Sequence, residues 1–230
     1  MLLAHYKLND NAADKVVADA SGNAKHGASV QNTSAIAVAG KINGALSFNG
    51  STDKISCGAN FPVTTNNFSW SLWIYPTTAV DANDGLITKN YGQPSLNLFT
   101  ASFPTNVRVS INGIASITAT GNIINANTWY HIVLTREGTA WKIYVNGNVE
   151  ASTTNAANGV DYGYVFTVGN DIATAGRFFT GLIDDVRIYD EALTLAQVGA
   201  IYNGGAGTEA PYPWLGAATK AHHYRMRRAG

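Results

Sequence analysis

The chain of 230 residues contains one cysteine, Cys57. No intrachain disulfide can form from it and no cysteine metal cluster is possible, so Cys57 reads as a small core residue. Charge is scarce too: Asp, Glu, Lys and Arg make up 13% of the residues and sum to zero. There are only four glutamates, Glu137, Glu150, Glu191 and Glu209. None lies in an acid-x-acid strand, the spacing that turns two carboxylates into one cleft for glycoside hydrolysis. Apolar runs are short, and none approaches the about 20 residues of a membrane-spanning helix. The opening Met1 to Lys7 is too brief an apolar stretch for a signal peptide. No glycine-rich phosphate loop precedes a helix; the glycines mark hairpins.

What the chain does have is alternation. Phe68, Trp70, Leu72 and Ile74 share one face of a strand, with Ser69, Ser71, Trp73 and Tyr75 on the other, and Pro76 ends it. Ala4, Tyr6 and Leu8 line one face of a first strand. Two strands flank the turn at Glu137-Gly138-Thr139, and Asn146-Gly147 and Asn112-Gly113 read as hairpin turns. From Leu182 to Tyr189 the pattern alternates again, putting Leu182, Asp184, Val186 and Ile188 on an apolar face. A buried carboxylate such as Asp184 must be paired, well hydrogen-bonded or metal-bound. The period then changes: Thr194 and Gln197 form a capping box, Leu195, Val198, Ala200 and Ile201 an apolar stripe, and Gly204 and Gly205 a stop.

Several stretches together resemble the laminin G-like domains of the concanavalin A-like superfamily. They are the Asp19-Ala-Ser-Gly-Asn23 loop, the strand and turn Gly44 to Gly50, the hairpins of Trp129 to Thr153, and the closing Phe178 to Gly204. The resemblance implies an all-β fold, a two-sheet antiparallel jelly-roll β-sandwich with one short C-terminal helix, over residues 1–205. Residues 206–230 fall outside it. All fifteen acids precede residue 210 and face eleven basic residues there, a net −4 over residues 1–209. Lys220, Arg225, Arg227 and Arg228 make the end basic. The acidic body lacks the positive field that nucleic acid needs.

The same resemblance implies a calcium site at Asp19, Ser21, Gly22, Asn23 and Asp184, since Ca²⁺ takes six to eight oxygens of this mixed kind. The alternative is that Asp19 caps its turn and Asp184 accepts main-chain N–H bonds without metal. Sugar recognition needs fixed polar groups and aromatic platforms in loops; the candidates are Asp81, Asn83, Asp84, Asn90, Tyr91, Tyr162 and Tyr164. His131 reads as structural, Trp70 and Trp129 read as core, and Trp73 falls on either the second sheet face or the solvent side. Tyr212, Trp214 and Leu215, with Arg225, Arg227 and Arg228, suggest an assembly arm. The functional expectation is a non-catalytic recognition module for glycan or another surface ligand, extracellular or on a virion. A structural decoration protein anchored by its tail is the second reading, and a glycan-active hydrolase a third. Neither nucleic acid nor membrane insertion enters any of them.

Overall fold

The computed structural model describes residues 1–58, 61, 66–78, 84–89, 95–99, 106–111, 115–119, 124–156, 165–171 and 175–210. In chain order the elements are β1 (Leu2–Tyr6), β2 (Val16–Val17), β3 (Gly27–Ser29), a single helical turn α1 (Thr33–Ile36), β4 (Ala37–Ala39), β5 (Gly44–Asn49) and β6 (Ile55–Ser56). There follow β7 (Asn67–Pro76), β8 (Asp84–Thr88), β9 (Ser95–Phe99), β10 (Asn106–Ile111), β11 (Ala115–Thr118), β12 (Tyr130–Glu137), β13 (Ala140–Val145) and β14 (Asn148–Thr154). The last are β15 (Thr167–Val168), β16 (Thr180–Tyr189) and α2 (Leu195–Tyr202). These strands form two antiparallel sheets. One runs β14-β13-β12-β7-β16-β5-β4, with β1 also on β16, and the other runs β11-β10-β9-β8-β15-β6-β3-β2.

The alternating residues do what their period requires. Phe68, Trp70, Leu72 and Ile74 of β7 and Ile132, Leu134, Trp141 and Ile143 of β12 and β13 enter the space between the sheets. There Phe68, Trp70, Trp141 and Phe166 meet with ring centroids 5.1–5.6 Å apart. Each such side chain contributes about 1.5–3 kcal/mol by leaving water. The turn at Asn146-Gly147 has φ of 51° and 82°, the primed geometry that matches strand twist. Cys57 is buried, and burial pushes its thiol up to about 12. The expected turn at Asn112-Gly113 lies outside the described residues, although β10 and β11 pair on either side of it.

Helix α2 covers the outer face of the first sheet. Thr194 and Gln197 make both bonds of the capping box, and Asn203, in the left-handed region, closes the helix one residue before Gly204. Only Val198 and Ile201 of the expected stripe are buried; they pack on Leu2, Val133, Tyr144, Tyr189 and Leu193, while Leu195 is 58% exposed. This cover explains why β7 is buried on both faces. Trp73, on the outer face, is sealed beneath Tyr202, with ring centroids 5.7 Å apart.

The alternation from Leu182 to Tyr189 does not hold. A β-bulge interrupts the pairing between β16 and β7: Asp184 opposes Trp73 and Arg187 opposes Ser71, with one extra residue on β16. Asp185 supplies it at φ 49°, and the extra residue inverts every face after it. Leu182, Asp184, Arg187 and Tyr189 therefore oppose outer-face residues, while Ile183, Val186 and Ile188 join the core. Asp184 is not on the core face, and Asp184 and Asp185 do not point to opposite sides.

Candidate functional site

The bulge creates a polar layer between the first sheet and its C-terminal cover. Asp185 accepts from Arg187 Nε at 3.0 Å and lies 2.6 Å from His5 Nε2. Burial alone would raise its carboxyl, but the His5 bond and the Arg187 charge outweigh that and hold it below the usual range. Arg187 also donates to the carbonyl of Ala210 at 3.0 Å and to that of Thr208. Glu209 accepts from Asn9 and Asn43 and pairs with Lys7. Residues 206–210 thus pack on the body rather than beginning a separate arm. Ser71 Oγ sits 2.8 Å from His131 Nε2, a partner the sequence could not reveal because it depends on strand register. Burial drives the His131 imidazole down to about 3, and both side chains have no solvent exposure. A sealed neutral pair of this kind has no route to substrate.

The proposed calcium ligands make other bonds. One oxygen of Asp19 accepts from the amides of His5 and Ser21, the other from Ser21 Oγ and the amide of Lys25. Four donors occupy its four lone-pair positions. Asn23 turns its amide nitrogen to the carbonyls of Leu2 and Leu3. Gly22, at φ 88°, makes the tight turn. Asp184 accepts from the amide of Ile42 at 2.8 Å, and burial raises its carboxyl to about 8. Asp19 and Asp184 share no hydrogen-bonding partner, and among the described residues no three His, Cys, Asp or Glu side chains form a group able to hold a metal ion. As placed, Asp19 is occupied by protein donors, whereas Asp184 keeps one buried oxygen, Oδ1, without a hydrogen-bond partner among the described residues.

Of the loop candidates, Asp84 is described: it begins β8 and is buried, beside the segment where Arg177 pairs with Asp171 at 3.0 Å. Asp81, Asn83, Asn90, Tyr91, Tyr162 and Tyr164 lie outside the described residues, as do Tyr212, Trp214, Leu215, Arg225, Arg227 and Arg228.

Two of the hollows on the described surface bear on a binding site. One, of about 330 Å³, lies against Asn9, Asp10, Asn11 and β4. Its Asn9 amide is already spent, accepting from Gly44 and donating to Glu209. The other, of about 290 Å³, is a groove between β12, β13 and the start of α2, lined by Thr135, Glu137, Lys142, Tyr144, Val149, Thr194 and Leu195 among others. Thr135 pairs with Lys142 across the strands and Glu137 with Ala140, which sets the two charges diagonally on one face. Neither has an ion-pair partner among the described residues. Sequence reasoning missed this groove. Its only early signal was the run of polar outer positions on two adjacent strands, and Thr194 reaches it from 52 residues beyond Lys142 in the chain.

Two antiparallel sheets enclosing one apolar core define a β-sandwich. The chain belongs to the concanavalin A-like lectin/glucanases superfamily: a laminin G-type family model described in those words matches residues 48–199. A comparison with curated protein sequences finds no match. Among solved structures, domain 4 of an extracellular GH43 arabinanase from Geobacillus stearothermophilus, in complex with arabinotriose, is similar at 24% identity and a TM-score of 0.68, over 90% of this chain and 98% of that one. A putative carbohydrate binding protein from Bacteroides ovatus is similar at 24% identity and 0.56, over 67% and 45%. A Trypanosoma rangeli sialidase mutant is similar at 15% identity and 0.65, over 90% of this chain but 34% of the enzyme. At these identities the likeness is one of fold. Among the described residues no helix is long and apolar enough to cross a membrane.

Proposed function

We propose that the chain is a non-catalytic glycan-binding module working outside the cell. The observation that carries the reading is the end-to-end match to an arabinanase domain whose structure holds arabinotriose, over 98% of that domain. A self-contained sandwich of the same extent supports binding by the domain itself. Two adjacent acids are not placed for hydrolysis: Asp184 and Asp185 are both fully buried, Asp184 on the amide of Ile42 and Asp185 on His5 and Arg187. A glycan array of neutral plant and microbial oligosaccharides beside uronate-bearing and sialylated ones tests the reading. Selective retention supports it, and a blank array refutes it.

A second reading, attachment to a larger assembly such as a virion through residues 211–230, draws support from the Arg187 clamp. Its bonds to Thr208 and Ala210 hold the last described residues on the body, just before the basic, aromatic sequence. Removing residues 211–230 would abolish such assembly and leave the sandwich folded; unchanged assembly would refute the arm.

A further inference from the structure

We propose that the groove between β12, β13 and the start of α2 holds one or two rings of a neutral sugar, with Glu137 and Lys142 gripping adjacent hydroxyls. The inference rests on the glycan-binding reading and assigns it a place and a ligand class. A carboxylate only accepts hydrogen bonds and an ammonium only donates them, whereas a sugar hydroxyl does both. Two neighbouring hydroxyls can therefore satisfy the pair at once, one donating to Glu137 and the other accepting from Lys142. Diagonal neighbours on adjacent strands stand about 7–8 Å apart, within reach of long side chains, so both charged ends can converge on one ring.

The charge balance selects the ligand class. With one acid and one base in the groove, an anionic sugar gains at Lys142 and loses at Glu137, and a cationic one does the reverse. A neutral ring meets no like charge. Val149 and Leu195 line the same groove and are 46% and 58% exposed, offering apolar contact to the C–H surface of a ring. Tyr144 closes the floor, only 2% exposed and held in the cluster beneath α2. The groove thus stands on strands and a packed helix, so little ordering is needed on binding. At about 290 Å³ it lies at the small end of ligand sites, which run from about 300 to 1,000 Å³; hence one or two rings.

The test is calorimetric titration of the 230-residue chain and three variants with arabinotriose, xylotriose, cellobiose and mannobiose. Glu137→Gln keeps shape and removes the negative charge, Lys142→Met keeps the stem, and Leu195→Asp charges an exposed wall. The sites of Glu137 and Leu195 are exposed, so melting midpoints serve as a folding control. At least one saccharide should bind the parent chain; Glu137→Gln and Lys142→Met should each weaken it roughly tenfold or more, as expected for losing a bond to a charged group, and Leu195→Asp should weaken it by replacing apolar contact with a carboxylate. Binding that is equal in all four proteins overturns the groove and leaves the glycan-binding reading standing. An array that retains only charged glycans overturns the ligand class. A blank array with silent titrations overturns both proposals.

Discussion

Substituting Gly147 by Val tests whether α2 is seated against the Asn146-Gly147 turn. Gly147 has φ 82°, and a Cβ there would lie 3.1 Å from Tyr202 Cδ1. Gly138, in the neighbouring hairpin, has φ 58° with nothing within 4 Å of its Cβ position, so it isolates the backbone contribution. A side chain in the left-handed region costs about 1–2 kcal/mol, which is the whole expected effect at Gly138→Val. Gly147→Val adds displacement of Tyr202, whose ring stacks on Trp73 and His131; losing aromatic contacts costs about 0.5–1.5 kcal/mol each. The totals are about 1–2 kcal/mol for Gly138→Val and about 2–5 kcal/mol for Gly147→Val. At about 2–4 °C per kcal/mol for a chain this long, the midpoint falls roughly 2–8 °C and roughly 4–20 °C. Thermal melts followed by tryptophan fluorescence should also show Trp73 perturbed in Gly147→Val alone. Equal losses in the two variants, with unchanged fluorescence, would refute the seating of Tyr202.

Stability against pH should carry two opposed contributions. Unfolded His131 takes a proton below 6.5 but the buried imidazole only near 3, so its contribution is lost as pH falls through that range. Folded Asp184 keeps its proton up to about 8 whereas the unfolded chain releases it above 3.8, so its contribution is lost as pH rises through that range. Each changes by at most about 1.4 kcal/mol per pH unit, and they offset one another between 3.8 and 6.5. Denaturant titrations should show Asp184→Asn flattening the decline from pH 6.5 to 8; an unchanged alkaline limb would contradict a protonated Asp184. Ending the chain after Gly205 strips Arg187 of two carbonyl acceptors and should lower stability by about 1–3 kcal/mol per group left unsatisfied, whereas ending it after Ala210 should not; equal midpoints would unseat the Arg187 clamp. Because Asp19 is saturated by protein donors, chelator and added calcium should leave the melting midpoint unchanged. A chelator-induced drop would support the calcium site of Asp19, Ser21, Gly22, Asn23 and Asp184.

The fold was legible because its signals are local. The alternation of Phe68 to Tyr75, the positive-φ pair Asn146-Gly147 and the Thr194–Gln197 box each declare themselves within a few residues. The site was not, because it depends on register. Asp185 belongs to a stretch that alternates cleanly in sequence, yet one left-handed residue there puts Leu182 and Asp184 on the outer face while Val186 and Ile188 keep the core face they were expected to have. The partnership of Ser71 with His131 spans 60 residues, and Thr194 reaches the groove only because α2 folds back over β12 and β13. Trp73 could not be placed from its own strand, since what covers it arrives with Tyr202 and Gly207.

The most direct measurement of the glycan-binding claim is native affinity electrophoresis of the 230-residue chain in gels cast with arabinan, xylan or β-glucan. Binding by the folded domain predicts retarded migration in at least one of these neutral polysaccharides, with mobility restored by Glu137→Gln. Unchanged migration of the parent chain in all three, and in a gel cast with an anionic polysaccharide, would contradict it.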